Sequence, residues 1–102
     1  MKKQQTLPLE VAAKALKELG HPMRLAIYRQ LVKAGAEGLP VGSLQSVLEV
    51  PGSTLTHHIS GLVSAGLVSQ RREGRVLYCV AQYGQLDALI AYLQDECCAG
   101  GD

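Results

Sequence analysis

Tryptophan and phenylalanine are absent from this 102-residue chain, and four tyrosines are its only aromatic residues besides histidine. A core without large rings has to be built from Leu, Val, Ile and Ala. That mix suits short helices packed closely and argues against a wide aromatic ligand pocket. No run approaches the roughly 18 to 20 consecutive apolar residues of a membrane span. The basic start Met1-Lys2-Lys3-Gln4-Gln5 leads into no apolar stretch with a cleavage site, so a soluble, cytoplasmic protein is expected. Three cysteines without a secretion signal argue against a disulfide framework and leave free thiols for ligation or redox chemistry. There is no glycine-rich phosphate loop, and no cysteine has a placed His and carboxylate, so an enzyme is not expected. At this length one domain over 1–102 is expected.

The net charge is only +1, but it is distributed unevenly: +3 over positions 1–50, +2 over 51–83 and −4 over 84–102. The acidic end should face away from phosphate, while the middle can approach it. Along the chain, Val11, Ala12, Ala15, Leu16 and Leu19 recur at three- and four-residue spacing between Pro8 and Gly20, which predicts an amphipathic helix over 8–20. Pro22 opens a second helix carrying Leu25, Ile27, Tyr28, Leu31 and Val32 as far as Gly35. Pro40 opens a short third, with Val41, Leu44, Val47 and Leu48 on its apolar face, before the turn Glu49-Val50-Pro51-Gly52.

A fourth helix follows at once, capped by Ser53 or Thr54, with Leu55, Ile59, Leu62 and Val63 as its buried stripe and Ala65-Gly66 as its stop. The period then changes to alternation. Leu67 to Arg72 and Arg75 to Ala81 read as two strands joined through Glu73-Gly74, a wing over 67–81. Leu86, Leu89, Ile90 and Leu93 predict a last helix over 84–98, with 99–102 as a flexible tail. The expected fold is mainly α with a small β-hairpin: a winged helix-turn-helix.

Two short helices at 40–65 joined by a tight turn, the second bearing small polar residues on one face, form an arrangement that enters the DNA major groove. On that helix Ser53, Thr54, Thr56, His57 and Ser60 are not needed for the apolar stripe and can face outward, where hydroxyl and imidazole groups bond base edges and phosphates. Arg71, Arg72 and Arg75 follow on the hairpin, where guanidinium groups can lie along the phosphate backbone or in the minor groove. An ordinary helical domain with a polar surface, or a protein-interaction module, would explain the helices but leave this order of parts without a use.

The runs LKELGHPMRLAIYRQLV, STLTHHISGLVSAGLV and RREGRVLYCV resemble the ArsR/SmtB family of bacterial metal- and thiol-responsive repressors over roughly positions 10 to 98. The resemblance implies a homodimer in which the first and last helices pair, binding an imperfect inverted repeat of double-stranded operator DNA and releasing it when an inducer binds. It also makes His58 the recurring histidine of the family, a packing residue or phosphate contact, and leaves His57 as the better DNA reader. Neighbouring residues on a helix point about 100° apart, so the two do not readily chelate one ion.

Two of the family's inducer sites are missing. The thiol site of the third helix would fall on GLPVGSLQ, which has no Cys, and the Asp/His site of the last helix has Asp87 and Asp95 but no His. The remaining candidates are Cys97 and Cys98 at the end of the last helix, beside Ala99-Gly100-Gly101 where a helix can unravel, together with Cys79 in the second wing strand. Soft thiolates select soft, thiophilic centres. DECCAGG resembles relatives that respond to trivalent arsenicals, so arsenite, methylarsenite or antimonite is the expected inducer, with no permanent cofactor. From Gly84 to Cys97 a helix rises roughly 20 Å; if Cys79 completes a three-thiol site, it has to come from the partner chain, and otherwise it is a small apolar strand residue. Two alternatives stay open. The same thiols could sense oxidants or sulfide through a disulfide or polysulfide, or bind cadmium, lead or zinc, for which one subunit offers few ligands.

Overall fold

The computed structural model describes residues 7–95. Helix α1 (Leu9–Leu19) lies between Pro8, whose extended backbone precedes the first turn, and Gly20. Helix α2 (Pro22–Ala34) has its proline at the first helical position, where no N–H is needed, and His21 as its cap: the His21 ring accepts the Met23 N–H at 3.1 Å. A single 3-10 turn (Gly35–Glu37) leads into β1 (Leu39–Pro40) and then α3 (Val41–Leu48). After Glu49, which is left-handed with φ 54°, come α4 (Gly52–Ser64), the strands β2 (Val68–Glu73) and β3 (Val76–Ala81), and α5 (Tyr83–Gln94). The three strands are antiparallel in the order β1-β3-β2. This is the winged helix-turn-helix expected, with one strand added.

The core gathers Ile27 and Leu31 from α2, Leu44 from α3, Leu55 and Leu62 from α4, and Leu67 and Cys79 from the wing, all fully buried. Each large aliphatic side chain there contributes about 1.5 to 3 kcal/mol of transfer free energy. Among the described residues no helix is long and apolar enough to cross a membrane.

The structure corrects several boundaries and faces. Helix α4 starts at Gly52 with Pro51 as its cap and no side-chain cap bond, so Ser53 and Thr54 lie inside the first turn rather than closing it. Val63 is 38% exposed, and His58 takes its place in the buried stripe. The hairpin pairs Glu73 with Val76, so the turn is Gly74-Arg75, not Glu73-Gly74, and Arg75 stands at the tip. Val47 and Leu25 are exposed rather than in the core. Helix α5 ends at Gln94, before an extended Asp95, and positions 96–98 of the predicted helix, like the predicted tail 99–102, lie outside the described residues. On the terminal helices, which touch one another, Leu9, Leu16, Ile90 and Leu93 are all more than 40% exposed; within the single chain these apolar side chains remain without full cover.

Strand β1 was not legible as a strand, and one glycine explains how it forms. Gly38 has φ +71°, and a Cβ there would overlap the Cys79 carbonyl oxygen and stand 2.8 Å from Val80 Cγ2. The chain therefore lies directly on β3 only because residue 38 has no side chain. Gly38→Ala is expected to cost about 3 kcal/mol or more in urea unfolding, combining a backbone cost of about 1 to 3 kcal/mol with steric overlap. Gly74→Ala, at φ +64° with nothing within 4 Å, should cost only about 1 to 2 kcal/mol. A smaller loss at 38 than at 74 would contradict the close approach.

Candidate nucleic-acid interface

Helix α4 divides cleanly into two faces. Leu55, His58, Ile59 and Leu62 are buried at i, i+3, i+4, i+7 spacing, whereas Ser53, Thr54, Thr56, His57 and Ser60 are all exposed. Thr56 and Ser60, one turn apart, line a groove of about 600 Å³ between α4, the start of α3 and the wing. Gln70, Arg72, Arg75 and Leu77 complete its wing side, and Ile59 and Val41 add apolar surface. The groove thus sets hydroxyls opposite two guanidinium groups, a combination that suits a sugar-phosphate strand passing between helix and wing.

The three wing arginines do not act together. Successive strand residues alternate faces, so Arg72 shares the groove face with Gln70 while Arg71 points to the other side. There Arg71 is held by the protein itself: Nε donates to Glu73 Oε2 at 2.7 Å, a terminal nitrogen donates to the Glu37 carbonyl at 3.1 Å, and the guanidinium lies 4.9 Å from the centre of the Tyr78 ring. Both ends of the exposed Arg71–Glu73 pair are well solvated, so it fixes a side-chain direction more than it adds stability. Arg72 and Arg75 have no salt bridge among the described residues.

Behind α4 lies a polar node that the apolar periodicity could not reveal. Glu18 of α1 is buried and accepts from Lys14 Nζ at 3.0 Å and from an Arg24 guanidinium N–H. Arg24 of α2 also donates from Nε to His58 Nδ1 of α4 at 3.0 Å. The hydrogen bond from Lys14, followed by the charges of Lys14, Arg24 and Lys17, holds the Glu18 carboxyl below its usual range despite an opposing burial effect. Burial, reinforced by His21, Arg24 and His57, pushes the His58 pKa down. The shift favours the neutral imidazole, and its Nδ1 accepts from Arg24. The one signal in the sequence was Lys14 and Glu18 at i, i+4 spacing, which reads equally well as a solvated surface pair.

The predicted thiols fall in different places. Cys79 is fully buried in the core with Gln70 Nε2 at 3.7 Å from its sulfur, and burial pushes its thiol pKa up. That is the setting of a packing residue. Cys97 and Cys98 lie outside the described residues. Among the described residues no three His, Cys, Asp or Glu side chains converge as a metal site.

With this geometry in place, comparison with known proteins gives a consistent family. A model of a helix-turn-helix domain matches residues 19–71. The chain is 33% identical to the nodulation protein NolR of Rhizobium meliloti over 86 residues, 84% of this chain and 68% of that protein. It is 30% identical to the transcriptional repressor PagR of Bacillus anthracis over 87 residues, 85% of each, and the PagR crystal structure superposes with a TM-score of 0.68. The homodimeric winged helix-turn-helix DNA-binding domain of Mb0332 from Mycobacterium bovis, a possible ArsR-family regulator, matches with a TM-score of 0.68 at 27% identity over 86% of this chain and 82% of that one. A crystal structure of a possible transcriptional regulator for arsenical resistance matches with a TM-score of 0.69 at 26% identity, covering 79% and 81%.

The burial of Cys79 has a direct check. In native buffer a thiol-labelling reagent should modify Cys79 at least about a hundredfold more slowly than an unfolded control, since it reacts only through opening of the core; peptide mass spectrometry reads this site by site. Cys79→Ser, which leaves a hydroxyl in that apolar position, should lower stability by about 1 to 3 kcal/mol. Rapid native labelling of Cys79 would reject its role as a core residue.

Proposed function

We propose that this chain, which belongs to the ArsR/SmtB family of winged helix-turn-helix transcriptional regulators, is a homodimeric repressor that reads operator DNA with α4 and lets go when a trivalent arsenical binds Cys97 and Cys98. The observation that carries the DNA reading is the groove in which Thr56 and Ser60 face Arg72 and Arg75. In this reading Ser53, Thr54, Thr56, His57 and Ser60 approach base edges and phosphates in the major groove. Arg72 and Arg75 neutralise phosphate from the wing, and Arg71 braces the wing from behind.

Homodimer formation is supported by the exposed Leu9, Leu16, Ile90 and Leu93 on the two terminal helices and by likeness to a domain described as homodimeric. Two helices contributed by each subunit would cover these residues and fix the spacing of the two copies of α4, which an inverted repeat requires. The cytoplasm is the compartment in which such a regulator meets its DNA.

The inducer assignment rests on the adjacent pair Cys97-Cys98 and is supported by likeness to a possible regulator for arsenical resistance. Two thiols displace both hydroxyls of methylarsenite. Two As–S bonds form, two As–O bonds break, and the thiol protons leave with the hydroxyls as two waters. A three-thiol site for arsenite or antimonite would need Cys79, and its burial favours the two-thiol form. An inducer acts only through a difference in affinity between the free and DNA-bound shapes, and a coupling of about 1 to 3 kcal/mol changes DNA affinity roughly 5- to 150-fold.

Two measurements by fluorescence anisotropy test this reading. On a labelled promoter duplex, Arg72→Ala and Arg75→Ala should each weaken binding and reduce the slope of log affinity against log salt by about 1, whereas Arg71→Ala leaves the slope unchanged. Equal loss at all three positions would contradict the division of the wing into two faces. Methylarsenite should release the wild-type protein from the duplex; Cys97→Ser and Cys98→Ser should bind DNA as tightly as wild type and resist release. Normal release of either variant would eliminate the site, and release by polysulfide or peroxide but not by arsenicals would assign the pair to thiol redox sensing.

A further inference from the structure

Hydrophobic burial holds α4 against the core but does not fix its rotation, because apolar contact has little directionality. Rotation matters for a reading helix. With a radius of about 5 to 6 Å including side chains, a turn of about 20° carries side-chain tips by about 2 Å. A hydrogen bond to a base edge tolerates only a few tenths of an ångström. Something directional has to set the angle of α4, and among the described residues the buried side chains of that helix make one hydrogen bond to another element: Arg24 Nε to His58 Nδ1 at 3.0 Å.

The donor is itself held. Glu18 of α1 anchors the Arg24 guanidinium, and Lys14 anchors Glu18. Gly61, one turn along α4 from His58, lies against this pair: a Cβ there would overlap Glu18 Oε1 and stand 3.1 Å from Arg24 Cζ. His58 is flanked on one side by His21, with ring centres 4.5 Å apart, and on the other by exposed His57, at 5.8 Å. The residue gripped from behind is thus the immediate neighbour of a residue on the outward face.

We propose that Arg24 is the positioning residue of the reading helix: bridging Glu18 on α1 and His58 on α4, it sets the rotation of α4 and thereby discrimination between DNA sequences, without touching DNA. This rests on the DNA-binding reading given above. Only the planar fork of arginine can serve both partners at once, so lysine is not an equivalent. The grip also depends on a proton. Arg24 is always a donor, so His58 must present a bare Nδ1. Burial first, then His21, Arg24 and His57, lowers the pKa of His58 below its ordinary value. The neutral form is accordingly the one the fold favours: the bond is complete above the ordinary histidine range and is lost as pH falls through the lowered value. The groups facing His58 that bear on this are His21 and Arg24 of the second helix region, Glu18 with Lys14 and Lys17 behind it on α1, and His57 on α4.

The test uses the full chain and two duplexes of equal length: one enriched by the wild-type protein from a randomised pool, the other its scramble. Arg24→Met and Arg24→Lys should weaken binding to the enriched duplex at least tenfold while changing the scramble less than twofold, with native circular dichroism and an unchanged salt slope. An arginine that instead contacted phosphate would lose both duplexes equally and lower the slope, which overturns the proposal, as does wild-type affinity for the enriched duplex. His58→Asn places an amide oxygen where Nδ1 stood and keeps an acceptor that does not titrate. The ratio of enriched to scrambled affinity should fall further in wild type as pH is lowered from 7 to 5 than in His58→Asn, which keeps His21 and His57 and differs only at the acceptor. The same acid fall in both proteins overturns the proposal even if the Arg24 variants fail to fold. A wild-type chain that enriches no duplex refutes the DNA-binding reading itself, and this inference with it.

Discussion

Three helices of this protein meet through one guanidinium group. Arg24 lies between a buried carboxylate and a buried imidazole, Glu18 and His58, and the closeness of α4 to both is possible only because position 61 is glycine. Burying an ion pair costs desolvation that its attraction repays only with good geometry, and well-packed apolar replacements are often as stable or more so. The contribution of the node is therefore direction. Leu55, Ile59 and Leu62 hold α4 on the core, while the hydrogen bond from Arg24 to His58 selects one angle among those that apolar contact alone would permit.

The other side of the reading surface depends on the sheet in a similar way. Gly38 lets β1 lie against β3, and β3 carries β2. The register that pairs Arg72 with Leu77 and Glu73 with Val76 leaves Arg72 on the groove face and Arg75 at the turn. Arg71, one residue away, is committed to Glu73, Tyr78 and the Glu37 carbonyl. In this way the wing is tied to the connection after α2, and its position relative to α4 is set by protein contacts before any DNA is present.

Much of this architecture was legible from spacing. The apolar patterns of α1 to α5 and the alternation of the wing identify the five α-helices and the hairpin of the described residues, because burial of one face imposes a period that survives in the sequence. The failures share a cause. Strand β1 has two residues, too few to show a period, and is specified by a glycine contact in three dimensions. The apolar pattern alone puts Val63 in the stripe and leaves out His58, which only the family resemblance marks as a packing residue or phosphate contact, because such a pattern cannot recognise a histidine satisfied by an arginine 34 positions away. The three wing arginines were grouped by charge; alternation required neighbours 71 and 72 to diverge, but which one faced the groove depended on packing against α4. The site's exposed hydroxyls were identified from what the core did not need. Glu18, Arg24 and Gly61 were missed because each reads locally as a surface or spacer residue.

The remaining physical question is how an event at the far end of α5 can reach α4. The first turns of α5 are bound to the rest of the protein at two points. Tyr83 donates its hydroxyl to the Val32 carbonyl at the end of α2, at 2.8 Å, and Gln85 donates to the Ala65 carbonyl at the end of α4, at 3.4 Å. Between α2 and α5 the Tyr28 hydroxyl is buried with no hydrogen-bond partner among the described residues, and burial, with Tyr83 and Asp87 adding to it, pushes its pKa up. A shift of α5 would pull on the carbonyl ends of α2 and α4 together. Those are the two helices joined by Arg24 and His58, so a displacement at their ends acts on the same rotation that the buried node sets.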